Sequence, residues 1–165
     1  MCGIAGIFNF SELEVEDWQL KQLAAVMKER GPDHHGFWRI NNIGFVHTRL
    51  SIIDISNAGN QPMHFNGCSI TFNGEIYNFK IIREELIKLG FSFDSNSDTE
   101  VLLKGYSAWG IDTLVNKLDG MFAFCLYDKN KSEAFFCRDR LGKKPLYIFQ
   151  NEKRLLFSSE MRGIC

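Results

Sequence analysis

Cys2 is the residue whose position could do the most chemistry. A methionine followed by a small side chain is a substrate for Met aminopeptidases. Removing Met1 would leave a thiol and a free α-amine on one residue. A free Cys has a pKa of ~8.5 and an α-amine one of ~7.7–8.0, so near neutral pH part of the amine is unprotonated and within reach of the sulfur. Nucleophile and base would then come as a unit. Gly3 beside it leaves room for a substrate. The bland alternative is a small residue at a loose chain end. The apolar run that begins at once, GIAGIF, argues for a terminus anchored in a sheet.

Asn73-Gly74-Glu75 is the second candidate. Read as the junction of a strand and a helix, it turns backbone N–H groups outward, and Gly lets a ligand approach. The Asn73 amide and the Gly74 N–H together can form an oxyanion hole. An ordinary Asn-Gly turn is the alternative. Arg49 lies near the end of the apolar run FVHTRL, where it needs a carboxylate or an exit to water. A clamp on a substrate carboxylate and an ion pair with Asp54 or Glu75 both satisfy it. Asp98 falls in a first helical turn, where the macrodipole alone favours an acid. Its functional reading is a contact to a substrate ammonium. His34 and His35 are adjacent without metal-ligand spacing, and are assigned to a loop. Neither a P-loop nor a G-x-G-x-x-G is present.

The elements that must position these residues follow from periodicity. Residues 3–8 read as a buried strand. Ser11 and Glu14 fit a capping box for a helix that carries Leu20, Leu23, Ala24 and Met27 on one face and stops at Gly31-Pro32-Asp33. Residues 45–50 and 68–72 read as strands, with 57–66 a loop and Asn73-Gly74 a strand end. A second helix shows Phe79, Ile82, Leu86 and Leu89 before Gly90. A third opens at Ser97, with Glu100 as box partner. Residues 121–127, 134–137, 145–149 and 155–157 then read as consecutive strands. Helices and strands segregate in this order, which is α+β and not βαβ alternation.

The 165 residues fit one domain with an ample core, at 45% hydrophobic and 24% charged. A net charge of −1 with scattered Lys and Arg argues against nucleic acid and against a polybasic membrane contact. Five cysteines without a C-x-x-C pair support neither a disulfide framework nor a zinc site, so reduced thiols and a cytoplasmic location are expected. The N-terminus does not read as a signal peptide, and no run approaches a membrane span.

Together these stretches resemble the glutaminase domain of class II glutamine amidotransferases, the nearest branch being glutamine-hydrolysing asparagine synthetase. The matching blocks are MCGIAGIF, RGPD, HTRLSIIDIS, GNQPM, FNGEIYN, SDTEVLL, LDGMFAFCLYD and RDRLGKKPLY, in the family's order over nearly the whole chain. The resemblance implies an N-terminal-nucleophile hydrolase fold, a four-layer αββα sandwich with two stacked, mainly antiparallel sheets, over residues 1–165. It implies Cys2 as nucleophile, Asn73 and Gly74 as the oxyanion hole, and Arg49 on the substrate carboxylate. Glu75 and Asp98 would hold the ammonium, with Leu50 and Ile52 completing the substrate-binding set. Substrate would be L-glutamine, and ammonia would pass to an ATP-dependent synthetase domain or subunit. That domain is expected outside this chain, and ATP and Mg with it. No metal or cofactor is expected in this domain, and a homodimer is a further expected arrangement. Two other readings compete: a non-catalytic docking module of a synthetase complex, and an N-terminal-nucleophile amidase for another substrate.

Overall fold

The structure, a computed structural model, describes residues 1–51 and 56–164. Nine strands and three α-helices are assigned among them, with three short 3-10 turns. β1 (Gly3–Asn9), β2 (His34–Ile40), β3 (Ile43–Arg49), β8 (Tyr147–Gln150) and β9 (Arg154–Ser158) form one sheet, in the order β2-β3-β1-β9-β8. β4 (Met63–Phe65), β5 (Cys68–Ile76), β6 (Gly120–Asp128) and β7 (Glu133–Arg138) form the other, in that order. Each paired strand runs antiparallel to its neighbour.

Three apolar clusters define four layers. Helix α1 (Asp17–Val26) buries Leu20, Leu23 and Ala24 against Ala5, Ile7 and Val46 of the first sheet. α2 (Phe79–Lys88) and α3 (Asp98–Lys117) bury Ile82, Leu86, Leu102 and Tyr106 against Ile70, Phe72 and Phe124 of the second. Between the sheets lie Ile4, Phe8, Phe45, Ala123, Cys125 and Phe157, with Trp38, Tyr127 and Phe136 at their rim. Period-two alternation produces this arrangement, because successive residues of a strand serve opposite layers. The αββα sandwich is the expected one.

Local expectations hold less evenly. The first helix starts six residues after Ser11. Its capping box is Glu16 with Gln19, whose Oε1 accepts from the Glu16 N–H at 2.9 Å, and not Ser11 with Glu14. Ser97 does cap α3, accepting from Thr99 N–H at 3.0 Å. Glu100 is no box partner. It accepts instead from the N–H groups of Asp94 and Ser95 and from the Ser95 hydroxyl, and pairs with buried Lys104. His34 and His35 lie in β2 and not in a loop. Residues 57–66 contain a 3-10 turn and β4.

Candidate active site

The largest correction concerns Asn73 and Gly74. They do not end a strand; β5 runs on to Ile76, and the helix begins only at Phe79. Pairing with β6 (Asn73 opposite Ala123, Gly74 opposite Phe122) overrides the turn propensity of Asn-Gly. A Cβ on Gly74 would sit 2.3 Å from the Met121 carbonyl oxygen, so only glycine permits this pairing.

The donor geometry comes from the strand edge instead. Along β5 the N–H groups of Phe72 and Ile76 point away from β6. The first is taken by Gln61 Oε1 (2.7 Å), the second by Asp98 Oδ2 (3.0 Å). Gly74 has the same parity, so its N–H points the same way, past the end of β4. Phe122 opposite confirms the parity, since its own N–H is spent on Asp139 Oδ2 at 3.2 Å. Asn73, almost wholly buried, presents a side-chain Nδ2 with no hydrogen-bond partner. Two donors thus converge where strand pairing ceases, and a buried donor without a partner costs about 1–3 kcal/mol. Such a deficit is a signature of a site awaiting an acceptor.

Cys2 lies at the end of β1, opposite the end of β3. The Leu50 N–H donates to Cys2 Sγ at 3.4 Å, and the thiol lies 3.5 Å from the Leu50 carbonyl oxygen. Arg30 Nε donates to the Cys2 carbonyl oxygen at 3.0 Å. The terminus is therefore tied down, as the apolar run implied. Arg49 is buried at the end of β3. Its Nη1 donates to the Ser56 carbonyl oxygen (2.8 Å) and to Asn60 Oδ1 (2.6 Å), so the following loop orients it. Ile52, and the Asp54 weighed as an ion-pair partner, lie outside the described residues. Asp98 opens α3 and is buried. Burial pushes its carboxyl up to about 6 against the pull of backbone N–H donors, and nearby Glu75 adds to the rise.

One pocket of about 100 Å³ gathers Cys2, Arg49, Leu50, Asn73, Gly74, Glu75 and Asp98. Met1, still attached, forms part of its wall. A thiol, amide and backbone donors, a guanidinium and two carboxylates around a small concavity suit a zwitterionic amide substrate. Among the described residues no group of three or more His, Cys, Asp or Glu is disposed to hold a metal ion.

Three further pocket residues were not singled out by sequence reasoning. Gln61 bridges the β5 edge to α3, its Nε2 donating to Thr99 Oγ1 at 3.0 Å. His47 stands under the pocket with Nε2 3.2 Å from the Phe72 carbonyl oxygen and Nδ1 unpartnered. Burial drives its pKa down to about 3, so it is neutral, and Nε2 must carry the proton it donates. Lys144 enters from the loop after β7. Each sits in a block quoted for the resemblance, but that block gave no role.

The αββα sandwich of two antiparallel sheets, with a thiol at the open end of its first strand, is the fold class expected from the sequence. Within that class the chain belongs to the glutamine amidotransferase domain family, which matches residues 1–165. It is 39% identical to putative asparagine synthetase [glutamine-hydrolyzing] 2 of Methanocaldococcus jannaschii, over 99% of this chain and 35% of that protein. It is 39% identical to asparagine synthetase [glutamine-hydrolyzing] 1 of Bacillus subtilis, over 99% and 26%, and to asparagine synthetase B of Escherichia coli, over 99% and 30%. The chain thus spans about a quarter to a third of these relatives. The fold matches glutamine phosphoribosylpyrophosphate amidotransferase from B. subtilis, with a TM-score of 0.82 at 19% identity, over 99% of this chain and 43% of that one.

Proposed function

We propose that this domain hydrolyses the side-chain amide of L-glutamine through Cys2 and supplies the ammonia to an ATP-dependent amidation such as asparagine synthesis. The observation that carries the reading is the buried Asn73 Nδ2, without a partner among the described residues, beside a Gly74 N–H that points away from β6, both on the pocket that holds Cys2.

The steps follow from the geometry. Removal of Met1 frees the Cys2 amine and clears part of the pocket wall. Arg49 takes the substrate α-carboxylate, while Asp98 and Glu75 take the α-ammonium. Leu50 fixes the sulfur through its backbone. The Cys2 amine accepts the thiol proton and Sγ attacks the amide carbon. The oxygen that becomes negative meets Asn73 and Gly74, whose dipoles are already in place. The amine returns its proton to the departing nitrogen, ammonia leaves, and water hydrolyses the thioester to glutamate. Nucleophile, base and donors are all groups of the chain, so this hydrolysis needs no cofactor in the proposed scheme. The ATP-dependent step belongs to a synthetase domain or subunit, the partner this reading requires. The reduced cysteines fit a cytoplasmic setting.

The test is release of glutamate and ammonia from glutamine by protein whose N-terminus has been verified by mass. Cys2→Ala should abolish it, and Cys68→Ala, buried at the far end of β5, should retain it. Full activity in Cys2→Ala would overturn the proposal.

A further inference from the structure

Lys144 is more than nine-tenths buried and lines the same pocket as Cys2. Its backbone is clamped at both ends. Asp139 Oδ2 accepts from its N–H (3.1 Å), and Arg138 Nε donates to its carbonyl oxygen (2.6 Å). Asp139 also accepts from the N–H groups of Phe122, Leu141 and Lys143, which welds residues 139–144 onto the start of β6. Burial opposes the Asp139 charge, but these backbone donors outweigh it and hold its carboxyl below the usual range. The loop is built to deliver one ammonium to one place.

At that place the ammonium has a poor partner. Its Nζ donates to the thioether Sδ of Met1 at 3.1 Å, a weak acceptor, and among the described residues it has no ion pair. Met1 is the residue that the proposed maturation removes. Its sulfur is five bonds from the Cys2 nitrogen, so the ammonium lies within about 10 Å of the amine that will appear there. Buried charges at that separation still interact strongly.

We propose that Lys144 is a positioning residue for the Cys2 base: its fixed positive charge disfavours protonation of the liberated α-amine and so keeps that amine competent to take the thiol proton near neutral pH. This inference rests on the glutaminase reading. The sign is that of a like charge, which lowers the pKa of an ammonium. The other charges around the amine do not cancel it. Arg30, from the turn after α1, is paired with Glu160 at 3.7 Å. Arg49 on β3 is positive, and His47 on β3 is neutral. Glu75 on β5 and Asp98 on α3 are the opposing carboxylates. The substrate ammonium engages both in the proposed complex, and without substrate both remain in every Lys144 variant, so a difference between variants still reads Lys144. Asp139 is spent on backbone donors.

The experiment compares wild type, Lys144→Met, Lys144→Gln and Lys144→Arg, each verified to lack Met1. The readouts are kcat/KM for glutamine against pH and, without substrate, the rate of iodoacetamide labelling of the N-terminal peptide against pH. Lys144→Met and Lys144→Gln should move the acidic limb of both profiles up by about one pH unit. Their activity would then be about tenfold lower at pH 6.5 and converge on wild type at pH 8.5. Lys144→Arg should keep the wild-type limb. Coincident limbs in all four proteins would overturn the inference, as would a pH-independent rise in KM, which would place Lys144 on the substrate. Glutaminase activity surviving in Cys2→Ala would instead remove the reading beneath it, so the two failures are distinguishable.

Discussion

The layer between the two sheets is apolar and aromatic at one end and polar at the other. On β3 the residues facing this layer run Ile43, Phe45, His47, Arg49; on β1 they run Phe8, Gly6, Ile4, with Cys2 next, just before the strand begins. At the closed end Phe8, Phe45, Phe136 and Phe157 meet mostly edge to face, with ring centroids 5.3–6.3 Å apart. At the open end, further along the same rows, are the Cys2 thiol, the neutral His47 imidazole and the Arg49 guanidinium, and from β5 the Asn73 Nδ2 without a partner among the described residues. The strand period carries one chain from stability to chemistry without a change of element. The closed end fixes the separation of the sheets, and the open end uses that fixed separation to hold a donor, Asn73 Nδ2, that no described residue satisfies.

Substitution at each end should therefore have opposite signatures. Phe45 is completely buried among other rings, and Phe45→Ala should lower unfolding free energy by about 3–5 kcal/mol, the usual cost of such a cavity. Chemical denaturation would read this as a reduced midpoint, with the rate per folded molecule near wild type at low temperature. A midpoint within error of wild type would mean that the aromatic end is not what holds the sheets together.

Asn73→Ala, on β5 of the other sheet at the open end, should do the reverse. Its Nδ2 has no partner to lose, so the denaturation midpoint should stay close to wild type. Turnover should fall by about 10²–10³, or about 2.7–4 kcal/mol of transition-state stabilisation, with KM little changed. If Asn73→Ala lost stability and kept kcat, the contrast between the two ends would fail.

The contrast also explains what could be read from the sequence. The closed end and the helix faces are legible because burial imposes period two or 3.6 on residue type: GIAGIF, and Leu20 with Leu23 and Ala24, announce themselves. β2 is hidden because HHGFWRI mixes two His and a Gly into an alternating strand, and β4 because three residues carry no period and are held only by pairing with β5. Asn73-Gly74 reads as a turn by local propensity, whereas pairing with strand residues 48 and 50 positions away decides it. In the site, Cys2 and Arg49 stand out because their types are unusual for their local setting, whereas Asn73 and Asp98 also suit an ordinary turn and an ordinary first helical turn and take their roles from the resemblance. Gln61, His47 and Lys144 do not stand out, because their importance lies in contacts with residues 38, 25 and 143 positions distant.

The smallest expected effect sits at the mouth of the open end and sharpens the same contrast through pH. Asp98 has its carboxyl raised to about 6, burial being the largest cause. For an acid, a raised folded pKa means that the protonated form is favoured in the empty pocket. Asp98 thus adds stability at low pH, and loses it as pH rises from the unfolded value through about 6. The proposed substrate ammonium needs the ionised form. KM for glutamine should therefore be flat above about pH 7 and rise roughly tenfold per pH unit once pH falls below about 6, while kcat at saturation changes less. Asp98→Asn keeps an oxygen to accept the Ile76 N–H, and so should keep β5 in place. It should also remove the charge, giving a raised KM whose acidic limb is gone. A wild-type KM that stays constant from pH 7 to pH 5 would mean that Asp98 does not meet the ammonium. The polar end would then hold its donors for the oxyanion alone.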